Sequence, residues 1–388
     1  MTHNIYIDYT HSVPYGNIKF HGGANYTKKI IIDLIEYQKL EKINIFWPMG
    51  YMPKDSIEKL IYNNEKTNII EIERIEDYKD FKLSSILFFP LLNIKSWKKV
   101  KKIKNNSLNI RVYLTIHGLR VLDLGYDKYD KFYNRLYYPL FSSVFLLFKK
   151  MYYSLYVKKN IVLFDKIFTV SNFSLQQIVK HCKSLNITHF YQGVNVDESK
   201  IINKIDDSYV LFVSGNRAEK NFARALEAFT IYKNRHIDSK IFLYVTGIGD
   251  NLKNKLLNSY SKKDVGLINN HVKFFDYVDD QMLSDLYKQC LFLLYTSKSE
   301  GFGLPVMEAM LNLKPVVSSY ITAIPEVGGS AVYYVDPMST ESITNGIIYM
   351  TDPNNNARYV KYVTDSIDSM KTRVDQDKKR FVDILIND

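Results

Sequence analysis

Only two cysteines occur in the 388 residues, Cys182 and Cys290, and they lie far apart. So few thiols exclude a disulfide framework and a cysteine-built zinc site, and they suit a reducing cytosol. No apolar run reaches the ~20 residues that a membrane-spanning helix needs. The longest candidate, LYYPLFSSVFLLF (136–148), is too short and is interrupted by Pro139. The opening MTHNIYIDYT lacks a basic segment followed by an apolar stretch, so no signal peptide is expected. Short-period repeats and low-complexity tracts are missing too. Negative charge is scarce in one half only. Residues 1–195 hold 29 Lys and Arg against 16 Asp and Glu, a net +13, while the remainder holds 23 against 25, a net −2. A basic, tyrosine-rich half points to nucleic acid, to an anionic membrane surface, or to a biased overall composition.

What is present is a chain built for a large core. Its hydrophobic fraction is 46% and its charged fraction 24%, and its length suits two domains. Short apolar runs alternate with helical patterns throughout. NIYIDY, KINIFWP, SILFFP, NIRVYLTIHG and KIFTVSN read as strands in the first half. YVLFVSGN, KIFLYVTGIGD, HVKFFDYV, LFLLYTS and KPVVSS do so in the second. The runs are continuous rather than alternating, which predicts sheets covered on both faces. Helical patterns run over 26–39, 221–232, 281–289, 306–313 and 365–386. Strand–helix alternation predicts an α/β fold of two doubly wound, Rossmann-like domains facing across a cleft. The pattern restarts near YQGVNVDESK (191–200), so the expected domains are 1–195 and 196–364, with a C-terminal helix over 365–388 packing back on the first.

Ligands of open α/β sheets bind beyond the carboxyl ends of the strands. Five loops qualify there. HGGAN (21–25) puts Gly22 and Gly23 before a helix, where amides can approach an anion; a simple loop is the plain alternative. TIHG puts His117 at a strand end, either as a structural histidine or as a ligand-facing one. SGNRAEKN puts Arg217 and Lys220 at the entry to a helix, as a diphosphate would require or as a solvated helix start. TGIGD lacks the third glycine of a dinucleotide fingerprint, and no acidic residue follows at the required spacing, so NAD binding is not expected. SEGFGLPVMEAM (299–310) sets Glu300 at the end of a buried strand, then Gly301 and Gly303, then Pro305 in the first helical turn. Glu308 falls in the next turns and points back to the same loop. Two carboxylates about a glycine turn, with amides between them, suit a sugar joined to a phosphate.

SEGFGLPVMEAMLNLKPVVSS followed by AIPEVGGSAVYYVDP resembles the family 4 retaining glycosyltransferases of the GT-B fold, as found in bacterial surface-polysaccharide synthesis. GNRAEKNFARALEAF, TVSNFS, QGVN, TIHG and HGGAN support the resemblance, which covers most of the chain. It implies transfer of a hexosyl group from a nucleotide-diphosphate sugar to a saccharide acceptor, lipid-linked in O-antigen or capsule synthesis. It assigns Glu300 to the donor-sugar hydroxyls and Glu308 to the ribose. Phe302, Gly303 and Leu304 would offer amides to the diphosphate and sugar. Arg217 and Lys220 would neutralise the departing diphosphate, Gly22 and Gly23 would approach it, and His117 would touch the donor sugar. Asp276 stands where the family often has glycine, beside the base, and the Arg217–Lys220 spacing is shorter than in many relatives. No cofactor or metal is expected, since DYVDD lacks Asp-x-Asp spacing, and no nucleic-acid partner is expected. The implied location is cytoplasmic, peripheral on the inner face of the membrane. Residues 131–160, which mix aromatics, aliphatics and lysines, read either as a helix in the headgroup layer or as core helices with solvated lysines. A non-catalytic scaffold of the same shape and a sugar-nucleotide epimerase are the alternatives.

Overall fold

The computed structural model describes residues 4–13, 22–37, 40–93, 96–107, 109–125, 127–133, 142–181, 186–191, 193 and 200–387. Two compact units emerge: residues 1–119 with 151–193 and 372–388, and residues 120–150 with 194–371. Cys182, His21, Gln192 and residues 194–195 of the expected boundary lie outside the described residues.

The first unit holds a seven-stranded parallel sheet. Its strands are β1 (Asn4–Asp8), β2 (Ile43–Pro48), β3 (Thr67–Ile72), β4 (Ser85–Phe89), β5 (Ile110–Ile116), β6 (Lys166–Thr169) and β7 (Ile187–His189). They are ordered β3-β2-β1-β4-β5-β6-β7. The end of the C-terminal helix belongs to this unit. Phe381 packs edge-on against Phe168 and Phe190 at 4.8 and 5.2 Å between ring centres. Asp377 Oδ2 accepts from the Tyr191 amide at 2.9 Å. Lys378 pairs with Asp33 at 2.7 Å. The helix itself spans Pro353–Asn387, starting well before the 365 read from the sequence. Its first turn, PNNNAR, carries no apolar periodicity, but Pro353 suits a helix start and Asp352 accepts from the amides of Asn354 and Asn355, both at 3.0 Å.

The second unit holds a six-stranded parallel sheet. Its strands are β8 (Tyr209–Phe212), β9 (Phe242–Thr246), β10 (Val272–Phe275), β11 (Phe292–Tyr295), β12 (Val316–Ser319) and β13 (Val332–Val335). The order is β10-β9-β8-β11-β12-β13. From β8 the chain winds outward one way to β9 and β10, then returns to β11 and winds the other way. The switch point therefore lies between β8 and β11, which pair Phe292 with Val210 and Leu293 with Leu211. That is where the loops after these two strands must part, and where such sheets take their ligands.

Candidate functional site

The loops at that switch point carry the residues read from the sequence. After β8 the backbone turns at Ser214 with φ of 58°, then makes a short 3-10 turn over Ala218–Lys220. Asn221 follows in the left-handed region at φ 67° and opens the helix Phe222–Arg235. Its side-chain amide donates to the carbonyls of Thr296 (3.2 Å) and Pro337 (2.7 Å), which offsets the strain by fixing the turn in place. Lys220 is thereby buried with its ammonium facing the β11 loop.

Glu300 lies opposite, also buried. Three donors converge on its Oε1: Lys220 Nζ at 2.6 Å, Tyr295 Oη at 2.6 Å and Ser297 Oγ at 2.5 Å. Lys220 Nζ also donates to Tyr295 Oη. Oε2 has no hydrogen bond among the described residues. One carboxylate oxygen is thus anchored and the other is open. Burial by itself would raise the Glu300 carboxyl, but Lys220 and then Arg120 outweigh it and bring the group to about 2. Lys220 moves the other way from expectation for an ion pair. Burial lowers its ammonium below the usual lysine range, and Glu300 restores only part of this against Arg120 and Arg217.

Gly303 allows the next step. Its φ of 110° is closed to side-chain-bearing residues, and from it starts the helix Leu304–Leu311, with Pro305 in the first turn. The opening amides of any helix lack intrahelical acceptors, so Gly303 and Leu304 stand where an anion would be held. Gly301 and Phe302 are buried beside them. Glu308, half-buried, accepts from Tyr287 Oη at 2.7 Å through Oε2. Burial raises its carboxyl, and the Tyr287 bond opposes this only in part. Arg217 is half-buried in the Lys220 turn, where its amide donates to the Ser214 carbonyl at 3.3 Å and its carbonyl accepts from the Lys220 amide at 3.0 Å; its side chain makes no hydrogen bond or ion pair among the described residues.

The second unit therefore brings together Arg217, Lys220, Glu300, Phe302, Gly303, Leu304 and Glu308. Gly22, Gly23 and His117 belong to the first unit. There the paired glycines are not a loop before the helix but the start of it, Gly22–Glu36. Glycine is a poor helix former, so apolar periodicity is visible only from Tyr26. His117 Nε2 is 3.0 Å from the Pro90 carbonyl, and its ring meets Tyr26 edge-on at 4.5 Å. A pair that sequence reading passed over sits at the end of β1, where His11 Nδ1 lies 2.5 Å from buried Asp8 Oδ2. In the second unit, Tyr295, Ser297 and Tyr287 were also missed, as was a charged cluster on Lys298. Tyr295 and Ser297 lay within a stretch read simply as buried strand, and only their spacing from Glu300 marks them. Asp276 packs against the β9 turn, where a Cβ on Gly249 would meet its Oδ1 at 3.2 Å. Cys290 is buried and free, its thiol pushed up to about 12 by burial.

Residues 195–366 match the family described as glycosyl transferases group 1. That stretch, most of the second unit, belongs to that family. An E. coli O-antigen chain mannosyltransferase B is 40% identical over 20% of this chain and 20% of its own length. The Salmonella typhimurium O-antigen chain mannosyltransferase RfbU is 29% identical over 58% of this chain and 63% of its own length. The matches thus span less than two thirds of these curated relatives. Among solved structures, a glycosyltransferase from Rickettsia africae superposes with a TM-score of 0.64 at 16% identity, over 99% of this chain and 97% of its own. That likeness shows the GT-B fold, two Rossmann-like units. The glycosyltransferase family resemblance drawn from the glycine-framed carboxylates is thus upheld. Among the described residues no three His, Cys, Asp or Glu side chains are grouped to hold a metal ion, and no helix is long and apolar enough to cross a membrane.

Proposed function

We propose that the protein transfers a hexosyl group from a nucleotide-diphosphate sugar to a saccharide acceptor, with retention at the anomeric carbon. The observation that carries this is Glu300, held by Lys220, Tyr295 and Ser297 through one oxygen and open at the other. A carboxylate fixed in that way accepts from a sugar hydroxyl without reorganising. Charge develops on the departing diphosphate as the sugar becomes cation-like, and preorganised donors act on that charge. Lys220, Arg217 and the amides of Phe302, Gly303 and Leu304 are assigned to it. Glu308 is assigned to the ribose, through the oxygen that Tyr287 leaves free. His117, Gly22 and Gly23 are assigned to the same donor on the strength of the resemblance. No catalytic nucleophile–acid pair of the kind used in double displacement is assigned. The relatives named as mannosyltransferases make a mannosyl donor the first to try.

The test is a thermal-shift screen with UDP, GDP, ADP, CMP and dTDP. A ligand that binds only folded protein raises its melting temperature by mass action. One nucleotide is expected to do so, and Glu308→Ala to weaken it by about tenfold or more, the worth of a hydrogen bond to a charged group. Absence of any shift, with and without candidate acceptors, would favour the scaffold reading.

The acceptor is proposed to be lipid-linked and met at an anionic membrane surface. The helix Ser142–Asn160 supports this: Phe145, Leu147, Phe148, Met151, Tyr152 and Leu155 each expose more than half of their surface. Lys149, Lys158 and Lys159 are exposed among them. Apolar side chains that enter the headgroup layer, flanked by cations worth about 1 kcal/mol each near anionic lipid, give reversible attachment. In flotation, wild type should rise with phosphatidylglycerol vesicles, and a variant with Lys149, Lys150, Lys158 and Lys159 changed to glutamate should stay down. Wild type remaining at the bottom would remove this part of the reading.

A further inference from the structure

Two features adjoining the Lys220–Glu300 pair lead to the same short segment. Glu219, the neighbour of Lys220, binds Arg120 Nη1 at 3.1 Å. Lys298 and Ser299, the two residues before Glu300, bind Asp127 and Asp130 (3.0 and 2.9 Å) and Asp123 (2.9 Å). Asp127 is held in turn by both Arg224 nitrogens, at 2.9 and 3.0 Å. The Glu219 carbonyl ties the two loops directly, accepting from the Lys298 amide at 2.7 Å and from Ser297 Oγ at 3.0 Å. Arg120, Asp123, Asp127 and Asp130 thus grip one turn by its acidic side chain and the other by its lysine and serine. All of these residues lie in the second unit.

We propose that Arg120 is a positioning residue for the transfer, fixing the Lys220 turn through Glu219 and setting Lys220 against Glu300, with the acidic side chains of its segment holding the Glu300 loop. Arg120 need not touch the donor to do this. Its charge also reaches Glu300, whose carboxyl it helps to keep ionised after Lys220. Because Arg120 carries one arm of the arrangement and the three aspartates the other, its loss should loosen the pair while leaving the buried Asp127 cluster in place. The effect then falls on the reacting geometry rather than on the fold.

This inference rests on the proposed transfer, and the two fail differently. If wild type neither binds a nucleotide nor transfers a sugar, the functional reading falls whatever Arg120 does. With wild type active on the donor that the nucleotide screen selects, Arg120→Gln should lower kcat by about tenfold, as small misplacements of reacting groups do. The donor KM should stay within about twofold, since Glu308 and the amides at the start of its helix, assigned to the ribose and diphosphate, are untouched. The acid limb of the kcat/KM profile should move to higher pH as Glu300 loses a cation. Arg120→Lys should restore most of kcat, and Glu219→Gln should reproduce the loss from the other side of the pair. An unchanged kcat in Arg120→Gln overturns the proposal. So does a loss in which kcat and melting temperature fall while KM rises and Arg120→Lys gives no relief.

Discussion

Lys220→Met will lower turnover by about 10²–10³-fold, the range found when one preorganised stabiliser of developing charge is removed. The substitution keeps the aliphatic stem and deletes the ammonium that reaches both Glu300 and Tyr295. It will also cost stability. Breaking a buried ion pair by removing one partner costs about 3–5 kcal/mol, because the other charge remains desolvated. Glu300 is 5% exposed, so solvent cannot take the place of Lys220. Adding Glu300→Leu to Lys220→Met should recover most of that stability, since neither charge is then stranded. Turnover should not recover. Thermal melts and single-turnover rates on the two single variants and the double variant check both halves. A Lys220→Met enzyme within severalfold of wild type would remove Lys220 from the chemistry, and a double variant as unstable as the singles would remove the buried-pair account.

The same pair fixes a sign for acid. Glu300 is brought to about 2, below the ~4.3 of an unfolded glutamate. Its contribution to stability is therefore complete above the unfolded value and is lost as pH falls toward 2. Glu308, raised by burial, works in the opposite sense: it favours the fold once protonated and opposes it when ionised. Two carboxylates eight positions apart, one in the loop after β11 and one in the helix that follows it, are thus pushed apart in acidity. That suits the proposed roles of a permanently charged group for the reacting sugar and a hydrogen-bonding group for the ribose.

Ten of the strands and the glycine-framed carboxylates were legible because both are local signals. β1, β2, β4, β5 and β6, and β8 through β12, are continuous apolar runs, and each was read as a strand. β3, β7 and β13 were passed over, and all three are sheet edges. Two of these edges are covered less completely and lose the continuous run: β7 is half-buried at each of its three positions, and β3 is nowhere fully buried; β13 keeps an apolar run, VYYV, but one only four residues long. The Glu300 loop was legible for a different reason. Strand end, glycine, proline and second carboxylate all fall within a dozen residues. Tyr287 comes from 21 residues away and Asp127 from 171 residues before Lys298, so no pattern along the chain could join them to the site.

Asp127→Ala should be among the most destabilising substitutions in the second unit. Asp127 is buried with Arg224 on two of its bonds and Lys298 on a third. Removing it strands a guanidinium whose remaining acceptors, Asn221 Oδ1 and the Pro337 carbonyl, both at 2.9 Å, are neutral. Lys298 keeps Asp130 and is stranded less. A loss of about 3–5 kcal/mol follows from breaking such a buried set at one member. Asp130→Asn should cost less, because Lys298 retains Asp127. The dependence on pH separates charge from packing. Burial raises the Asp127 carboxyl, but Lys298 and Arg224 outweigh it and hold it below the usual aspartate range. A group depressed in this way stabilises the fold above its unfolded pKa of ~3.9, and that contribution is lost as pH falls through the folded value. Asp127→Asn keeps the shape and deletes the charge. Its melting temperature should therefore lie well below wild type at pH 7, and the gap should narrow steadily as the pH falls through the aspartate range. A gap of constant size across pH would mean that Asp127 contributes by packing and hydrogen bonding alone, and the two buried cations would then need another source of compensation.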